Sequence, residues 1–295
     1  MATHYPVMLA ESLEQLAIRP EGIYLDATAG LGGHTGAIAR LLTTGLVVAN
    51  DRDLQSMEMA RANTADVSER IFFHHGDFAS LPEAMVHAGR GLVDGLLADL
   101  GVSRFQLTAA ERGFSFQADG PLDMRMDQSQ GTTAAELVNE SAEKALADWI
   151  YQLGEERRAR KIARAIVRAR PIRSTLHLAD VVERAVPRTN RLHPATLTFM
   201  ALRMLVNDEQ GEIDRLLESA PQVVRAGGRI VIISFMSLED RKIKEKFREW
   251  KQQGLGPILT KRPLVPSEEE VRRNAPSRSA KLRAFELAAT ENSQS

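Results

Sequence analysis

A glycine-rich run, Asp26-Ala27-Thr28-Ala29-Gly30-Leu31-Gly32-Gly33-His34, carries residue types that suit nucleotide binding. Glycines permit a tight turn and let a ligand approach the backbone without meeting a Cβ atom. Asp51 follows Gly30 by twenty-one residues, at a position where a carboxylate can accept hydrogen bonds from both hydroxyls of a ribose. This pair alone is weak evidence, because any Rossmann-like nucleotide site could show it, that of a nicotinamide dehydrogenase included.

Two later motifs carry the same kind of chemistry. Gly76-Asp77-Phe78 offers a polar group and an aromatic ring, which suit the edge and the face of an adenine. Asp99-Leu100-Gly101-Val102-Ser103 places a carboxylate where a reaction site should lie. Four such motifs in one chain are far more specific than one glycine loop.

The elements that must position these motifs are short apolar strands. Strands are predicted at 22–26, 46–51, 70–74 and 93–99, and helical stretches lie between them. This alternation predicts a mostly parallel sheet with helices on both faces. Ligands of such sheets bind at the carboxyl ends of the strands, so the four motifs are expected to meet there.

The alternation stops in the middle of the chain. No convincing strand pattern occurs from about residue 104 to 203, where four helices are predicted instead: Ala142–Leu153, Glu155–Arg170, Thr175–Ala185 and Ala195–Leu205. We therefore expect a helical insertion at 104–203 within a domain formed by 1–103 and 204–295.

The last third of the chain separates two rival folds. A helix is predicted at Asp208–Arg225, a turn at Ala226-Gly227-Gly228 and an apolar strand at Arg229–Phe235. Ile258–Pro263 and Lys281–Leu287 then alternate like a closing antiparallel pair. A glycine pair before the fifth strand and an antiparallel end are typical of class I methyltransferases and not of dehydrogenases. The predicted fold is thus α/β, Rossmann-like, with an inserted all-helical domain.

Composition narrows the function further. The chain has no cysteine, which excludes disulfides, thiolate metal sites and thiol nucleophiles. No window approaches the roughly 20 apolar residues that span a bilayer, and no secretory signal is evident, so we expect a cytoplasmic protein without a membrane partner. His74 and His75 are adjacent on a strand and point to opposite faces, so no metal site is expected there, and no metal is expected elsewhere in the protein.

Charge is unevenly distributed. The chain carries a net charge of −1, yet residues 157–173 and 241–283 each carry +8. Such asymmetry fits a basic face for a polyanion such as RNA, and it equally fits two solvated helix surfaces.

Long strings of this chain resemble those of the bacterial 16S rRNA cytosine-N4 methyltransferase family. They run nearly end to end and include Gly32-Gly33-His34, Asp51-Arg52-Asp53, Asp99-Leu100-Gly101-Val102-Ser103, Glu111-Arg112-Gly113-Phe114-Ser115-Phe116, Pro121-Leu122-Asp123-Met124-Arg125-Met126-Asp127, Gly154-Glu155-Glu156-Arg157, His193-Pro194-Ala195-Thr196 and Ser237-Leu238-Glu239-Asp240-Arg241. Five positions depart from the family pattern: Arg104-Phe105 replaces Ser-Pro, Leu197 and Met200 replace Arg and Gln, and Met236 replaces His.

The resemblance implies a function and a site. S-adenosylmethionine would donate a methyl group to the exocyclic N4 of a cytosine in the decoding region of small-subunit rRNA, and the small ribosomal subunit would be the partner. It implies a cofactor site lined by Gly32, Gly33, His34, Asp51, Phe78, Asp99 and Gln106. The resemblance leaves open whether the protein forms a homodimer.

Cytosine N4 is a poor nucleophile, because its lone pair is delocalised into the ring. The enzyme must align the nitrogen with the methyl group and accept hydrogen bonds from the amine. Asp99 is the best acceptor in the sequence, although it could instead hold the cofactor. Phe105, Phe114 and Phe116 could receive the flipped base, or the latter two could be core aromatics.

Several readings stay open beside this one. A methyltransferase acting on another RNA, a protein or a small molecule would keep the cofactor motifs, and a dehydrogenase or a non-catalytic ribosome-binding factor are further rivals. Asp123-x-Arg125-x-Asp127 is either a salt-bridged strap or a substrate contact. His193 is either a ligand or a helix cap, and Asn207 either reaches the site or caps a helix.

Overall fold

The computed structural model describes residues 6–188 and 193–289. Contacts between residues divide the chain into two compact units. The first unit comprises the residues up to Gly101 and those from Gly211 onward, and the second comprises Val102–Gln210. The sequence boundaries were placed at 103 and 204, a few residues from these.

The first unit is built on a six-stranded sheet. Its strands are β1 Ile23–Asp26, β2 Leu46–Asp51, β3 Ile71–His75, β4 Val93–Asp99, β5 Val224–Ser234 and β6 Lys281–Glu286. Their order across the sheet is β3-β2-β1-β4-β5-β6. The first five strands pair in parallel and β6 pairs antiparallel with β5. The predicted fold class is therefore confirmed.

The helices complete both units. In chain order they are α1 Leu9–Leu16, α2 Gly33–Leu41, α3 Leu54–Asn63, α4 Leu81–His87, α5 Arg104–Thr108, α6 Ala134–Glu140, α7 Glu143–Gln152, α8 Ala159–Arg168, α9 Thr175–Ala185, α10 Thr196–Val206, α11 Glu209–Val223, α12 Ser237–Gln252 and α13 Glu268–Arg273. Short 3-10 turns occur at 65–70, 78–80, 110–112 and 275–279. No helix of the described ranges is long and apolar enough to cross a bilayer.

Alternate strand residues build two apolar layers on the sheet. Leu25, Leu96 and Ile230 belong to one buried cluster. Their chain neighbours Tyr24, Leu97 and Val231 belong to another. A parallel sheet covered on both faces explains why its strands read as continuous apolar runs.

The segment Ile258–Pro263 runs antiparallel to β6, as predicted, but the prediction of a continuous strand is wrong. Ile258 bridges Phe285, and Leu264, one residue beyond the predicted range, bridges Leu282, while the continuous ladder of β6 is with β5. Pro263 has no N–H to donate, which interrupts any ladder at that point. The Thr260 side chain substitutes by accepting a hydrogen bond from the Ala284 N–H at 2.9 Å.

Two boundaries also differ from the prediction. Helix α8 begins at Ala159 and not at Glu155, because Glu155 has a φ of +53° and cannot continue a right-handed helix. The predicted turn at Gly227-Gly228 lies inside β5, where the pairing with β4 shifts register.

The second unit is helical, as the sequence predicted for this part of the chain. Its apolar cluster includes Ile162 and Ile166 of α8, the pair whose spacing indicated a helix. Asn207 ties this unit together: its side-chain oxygen accepts from the Met126 N–H at 2.8 Å, and its Nδ2 donates to the Met124 carbonyl at 2.7 Å.

Candidate active site

The first acid of the site ends β1. Asp26 is fully buried, and its Oδ2 accepts a hydrogen bond of 2.6 Å from the Thr35 hydroxyl. Its Oδ1 accepts from the Thr28 N–H at 3.1 Å. Burial raises the pKa of Asp26 to about 6, and the nearby charge of Asp51 adds to the rise. The carboxylate thus fastens the glycine-rich turn to the strand that precedes it.

Asp51 ends the neighbouring strand β2 and holds the same turn from the other side. Its Oδ2 accepts from the Gly30 N–H at 2.6 Å, and its Oδ1 accepts from the Asp53 N–H at 2.8 Å. Burial raises the pKa of Asp51 to about 6 despite these two hydrogen bonds. The side chain is therefore fixed beside the turn, where the sequence placed a ribose-binding carboxylate.

The glycines of the turn are required by geometry. Gly30 and Gly32 have φ angles of +51° and +85°. A Cβ at Gly32 would lie 3.2 Å from the backbone of Ala60 on α3. Gly33 begins α2, and a Cβ there would meet Pro6 at 3.1 Å. The residue that precedes α2 is Gly32, which has no side chain to cap the first N–H groups of the helix.

His34 links the start of α2 to β4. It is 5% exposed, and its Nε2 donates to the Val7 carbonyl at 3.0 Å. The other ring nitrogen of His34, Nδ1, lies 3.8 Å from Oδ2 of Asp99.

Asp99 at the end of β4 is the group most perturbed by its surroundings. Its backbone N–H donates to the Thr28 hydroxyl at 2.7 Å, which brings β4 against the turn after β1. Its Oδ1 is buried and has no hydrogen-bond partner among the residues that the structure describes. Burial raises the pKa of Asp99 well above its usual range, and the charges of Asp26, Glu239 and Glu270 raise it further. A buried acceptor without a donor costs free energy unless a ligand supplies one.

Phe78 follows β3 and is held through its backbone. Its N–H donates to Glu212 Oε2 at 3.2 Å, and its carbonyl accepts from the Ser219 hydroxyl at 3.0 Å. Both partners lie on α11 within the first unit, so this helix fixes the segment after β3.

Gln106 lies in the second unit, on the short helix α5. It is 4% exposed, and its Oε1 accepts from the Ser103 N–H at 2.9 Å in a capping box. Its contact with a cofactor stays a prediction.

Three acids of the site region received no role from the sequence. Asp26 was included in the glycine-rich run but was given no role of its own. Glu239 is 2% exposed and caps α12 by accepting from the N–H groups of Phe235 and Met236. An acid at the third position of a helix is a recognisable capping signal. Glu270 accepts from the Met8 N–H at 2.8 Å across 262 residues, for which no local pattern exists.

The aromatic residues of the second unit are mostly internal. Phe114 is 5% exposed and belongs to the apolar cluster of that unit. Phe116 packs on His193 and Phe199, with ring centroids 4.7 and 4.8 Å away. Phe114 and Phe116 are therefore core aromatics, which was one of the two roles that the sequence left open. Phe105 is half-buried, with the guanidinium of Arg112 6.0 Å from its ring centroid.

The remaining alternatives are decided by hydrogen bonds. Arg125 donates two hydrogen bonds of 2.9 Å to Asp123, as expected for a salt-bridged strap. Asp127 accepts hydrogen bonds from Ser129 and Gln130. The Nδ1 of His193 accepts from the N–H of Ala195, the residue that precedes α10, at 3.2 Å, which favours the cap over the ligand role.

The two basic stretches differ in how they are neutralised. In 241–283, six of the basic residues form ion pairs, for example Arg283 with Asp240 at 2.6 Å. In 157–173, the exposed basic side chains lie on one side of α8 and two residues before it, and they form a basic stripe: Arg157, Arg160, Lys161, Arg164 and Arg168. Of these five side chains, Arg164 has an acidic partner within the described residues, Glu143 at 3.4 Å.

The comparisons with known proteins agree on one family. The model of the MraW methylase family matches residues 1–288. A ribosomal RNA small subunit methyltransferase H from Solibacter usitatus is 71% identical over 96% of this chain and 99% of its own length. The protein of the same name from Acidobacterium capsulatum is 52% identical, covering 96% of this chain and 98% of its own.

Likeness to solved structures is distant. An rRNA methylase from Streptococcus thermophilus aligns over 97% of this chain and 99% of its own, with 12% identity and a TM-score of 0.47, too low to support an argument. Because the family model covers residues 1–288 and the two relatives are 71% and 52% identical, the chain belongs to the MraW methylase family.

Proposed function

We propose that this protein transfers a methyl group from S-adenosylmethionine to the exocyclic N4 of a cytosine in the decoding region of small-subunit rRNA. The observation that supports it best is the buried Asp99 Oδ1, an acceptor without a partner at the carboxyl end of β4. Family membership supports the methyl donor and removes the dehydrogenase from consideration.

The residues at the strand ends fit this donor. S-adenosylmethionine carries an ammonium and a sulfonium. Burial chiefly raises the pKa values of Asp26, Asp51 and Asp99, neighbouring carboxylates raise them further, and a bound cation would favour the charged form of each acid. In this proposal Asp51 would bind the ribose, the N–H groups that begin α2 would bind the donor's carboxylate, and Phe78 would contact the adenine. When bound, the donor would supply a methyl group on a positively charged sulfur.

The chain's own part is positioning and charge. It must hold the target nitrogen in line with the methyl group, at roughly 3–3.5 Å. It must also accept an N–H hydrogen bond as the nitrogen's lone pair localises and the amine becomes acidic. Asp99 can do this with one oxygen while the other faces His34.

The RNA substrate is supported by the names of the relatives and by charge. Both relatives named above are ribosomal RNA small subunit methyltransferases. The basic stripe of α8 offers charges that are mostly free of acidic partners, which suits contact with phosphates. We therefore assign 104–203 the role of RNA substrate domain.

The test is transfer of labelled methyl from S-adenosylmethionine to small ribosomal subunits that lack the modification. Naked rRNA, tRNA and a protein extract serve as parallel substrates, and the labelled nucleoside is identified by mass. Label recovered as N4-methylcytidine at one position of the small-subunit rRNA is the expected result.

Other outcomes would contradict the proposal in distinct ways. Label on tRNA, protein or a small molecule would leave the methyltransferase in place and refute the substrate. Label on another atom of the rRNA would refute the N4 assignment. Donor binding without any transfer would favour a non-catalytic ribosome-binding factor.

A further inference from the structure

Two histidines and a glutamate converge on the surface of the first unit, away from the groups used above. His74 lies in β3, while Glu83 and His87 lie one turn apart on α4. One ligand atom from each residue lies within 4.8 Å of the other two. We propose that His74, Glu83 and His87 form a binding site for a divalent transition-metal ion, for which Zn²⁺ is the best match.

The hydrogen bonds of Asn50 prepare His74 for this role. The Asn50 side-chain amide donates to the carbonyls of Ala27 at 3.3 Å and Gly76 at 3.0 Å. Its oxygen must therefore be the acceptor in the 2.9 Å contact with His74 Nδ1. This assigns the proton of His74 to Nδ1 and leaves the Nε2 lone pair unprotonated. Metal-binding histidines are oriented in the same way, by a hydrogen bond from the ring nitrogen that does not bind the metal.

The donor set fits Zn²⁺ better than Mg²⁺ or Ca²⁺. Two imidazoles and one carboxylate are a common zinc ligand set, with water in the fourth position, whereas Mg²⁺ and Ca²⁺ prefer oxygen ligands alone. Ligand atoms in a tetrahedral zinc site lie roughly 3.4 Å apart, given bonds of about 2.1 Å. His87 Nε2 and Glu83 Oε1 are already 3.6 Å apart.

Small rotations would close the remaining gap. The side chains of Glu83 and His87 are 62% and 54% exposed, so they can turn without disturbing the core. His74 is 9% exposed and serves as the fixed ligand. The rings of His74 and His87 are already neighbours, with centroids 5.5 Å apart.

The site departs from the expectation that the adjacent histidines hold no metal. That expectation concerned His74 with His75, and His75 does turn away, with its Nε2 3.0 Å from the Arg52 carbonyl. The second histidine beside His74 is instead His87, which follows His74 by thirteen residues in the chain.

A metal here would join β3 to α4 across the segment 76–80, which carries Phe78. The ion would act as a cross-link that restrains this segment. The inference does not rest on the proposed function, because metal binding is measured without donor or RNA.

The experiment is calorimetric titration of Zn²⁺ into the full chain, purified without a polyhistidine tag and freed of metal by a chelator. We expect one Zn²⁺ per chain and a higher Tm with the ion, since a ligand that binds the folded state stabilises it. His87→Ala should weaken binding roughly tenfold or more and abolish the shift in Tm, and Glu83→Gln should weaken it less. Both positions are exposed, so the variants should fold.

His75→Ala is the matched control, because it removes the neighbouring exposed histidine and leaves all three ligands. It should bind Zn²⁺ like the wild-type chain. The absence of saturable binding by the wild-type chain would overturn the proposal. Equal losses in His75→Ala and His87→Ala would overturn it as well, since they would indicate unspecific binding to surface histidines.

Discussion

At the scale of single residues, the chemistry is concentrated in carboxylates that the fold has placed close together. Asp26, Asp51 and Asp99 end three strands of one sheet, and all three have raised pKa values, chiefly because they are buried. Each proton held by such a group is released more easily when a cation arrives. The site is therefore matched to a positively charged ligand before any ligand binds.

Asp99 offers the most direct test of this view. Asp99→Asn removes the charge while keeping the shape, and should weaken binding of S-adenosylmethionine by about tenfold or more, the usual value of a hydrogen bond to a charged group. Calorimetric titration with the donor measures the effect. Unchanged affinity together with lost methyl transfer would contradict a role in donor binding and leave Asp99 only its proposed role toward the target amine. Unchanged affinity together with unchanged transfer would contradict both roles.

Asp26 predicts a pH dependence of stability. Its pKa rises from 3.8 to about 6 on folding, so the folded state binds the proton more tightly than the unfolded state. The resulting stabilisation is complete below pH 3.8 and is lost as the pH rises through about 6. Relative to Asp26→Asn, which does not titrate, the wild-type chain should lose about 3 kcal/mol of unfolding free energy between pH 3.8 and 7.

Urea unfolding of both proteins at several pH values measures this difference. Asp51 titrates in both proteins, so its own contribution largely cancels. A difference in unfolding free energy that is independent of pH would show that Asp26 is not perturbed as described.

At the scale of elements, strand ends and helix starts assemble the site. The turn between β1 and α2 is held from both sides by carboxylates of β1 and β2, and β4 joins through the bond from Asp99 to Thr28. In the second unit, α8 divides its surface: Ile162 and Ile166 face the core, and the basic stripe faces solvent. Helix α8 thus packs against the core with one face and exposes its basic side chains on the other.

The basic stripe predicts how RNA affinity responds to salt. Replacing Arg160 and Arg168 by alanine should weaken binding to naked small-subunit rRNA and lower the slope of log K against log salt by about one unit per arginine. Filter binding across a salt series measures both quantities. Arg184→Ala is the matched control, an exposed arginine on α9 beside Asp180 at 3.7 Å, and it should change neither.

Equal losses in the control and in the stripe variant would show that α8 makes no particular contribution to RNA binding. Affinity that is indifferent to salt in the wild-type chain would argue against phosphate contacts altogether.

At the scale of the whole molecule, one chain builds two units of different character. The first unit contains the six-stranded sheet and the acids of the cofactor site, and the second is helical and carries the basic stripe. A net charge of −1 conceals this division, because the basic stretches are balanced by acids elsewhere. Distribution of charge, and not its sum, is therefore the informative quantity for an RNA-binding enzyme.

The sequence by itself determined the features that depend on local pattern. Alternating strands and helices predicted the parallel sheet, and the glycine turn and the acids after each strand predicted which edge would hold the ligand. The strings shared with the family predicted methyl transfer, which the family match confirms. These features are readable because periodicity, turn residues and capping signals act over a few residues.

Only the tertiary structure decided which distant residues meet. It brought Glu239 and Glu270 into the field of Asp99, placed Phe114 in a core, and paired His74 with His87. It also gave β6 the partner β5 in place of residues 258–263. The physical reason is common to all four: burial, pKa and ladder pairing depend on segments that are far apart in the chain, and no local pattern records which of them will pack together.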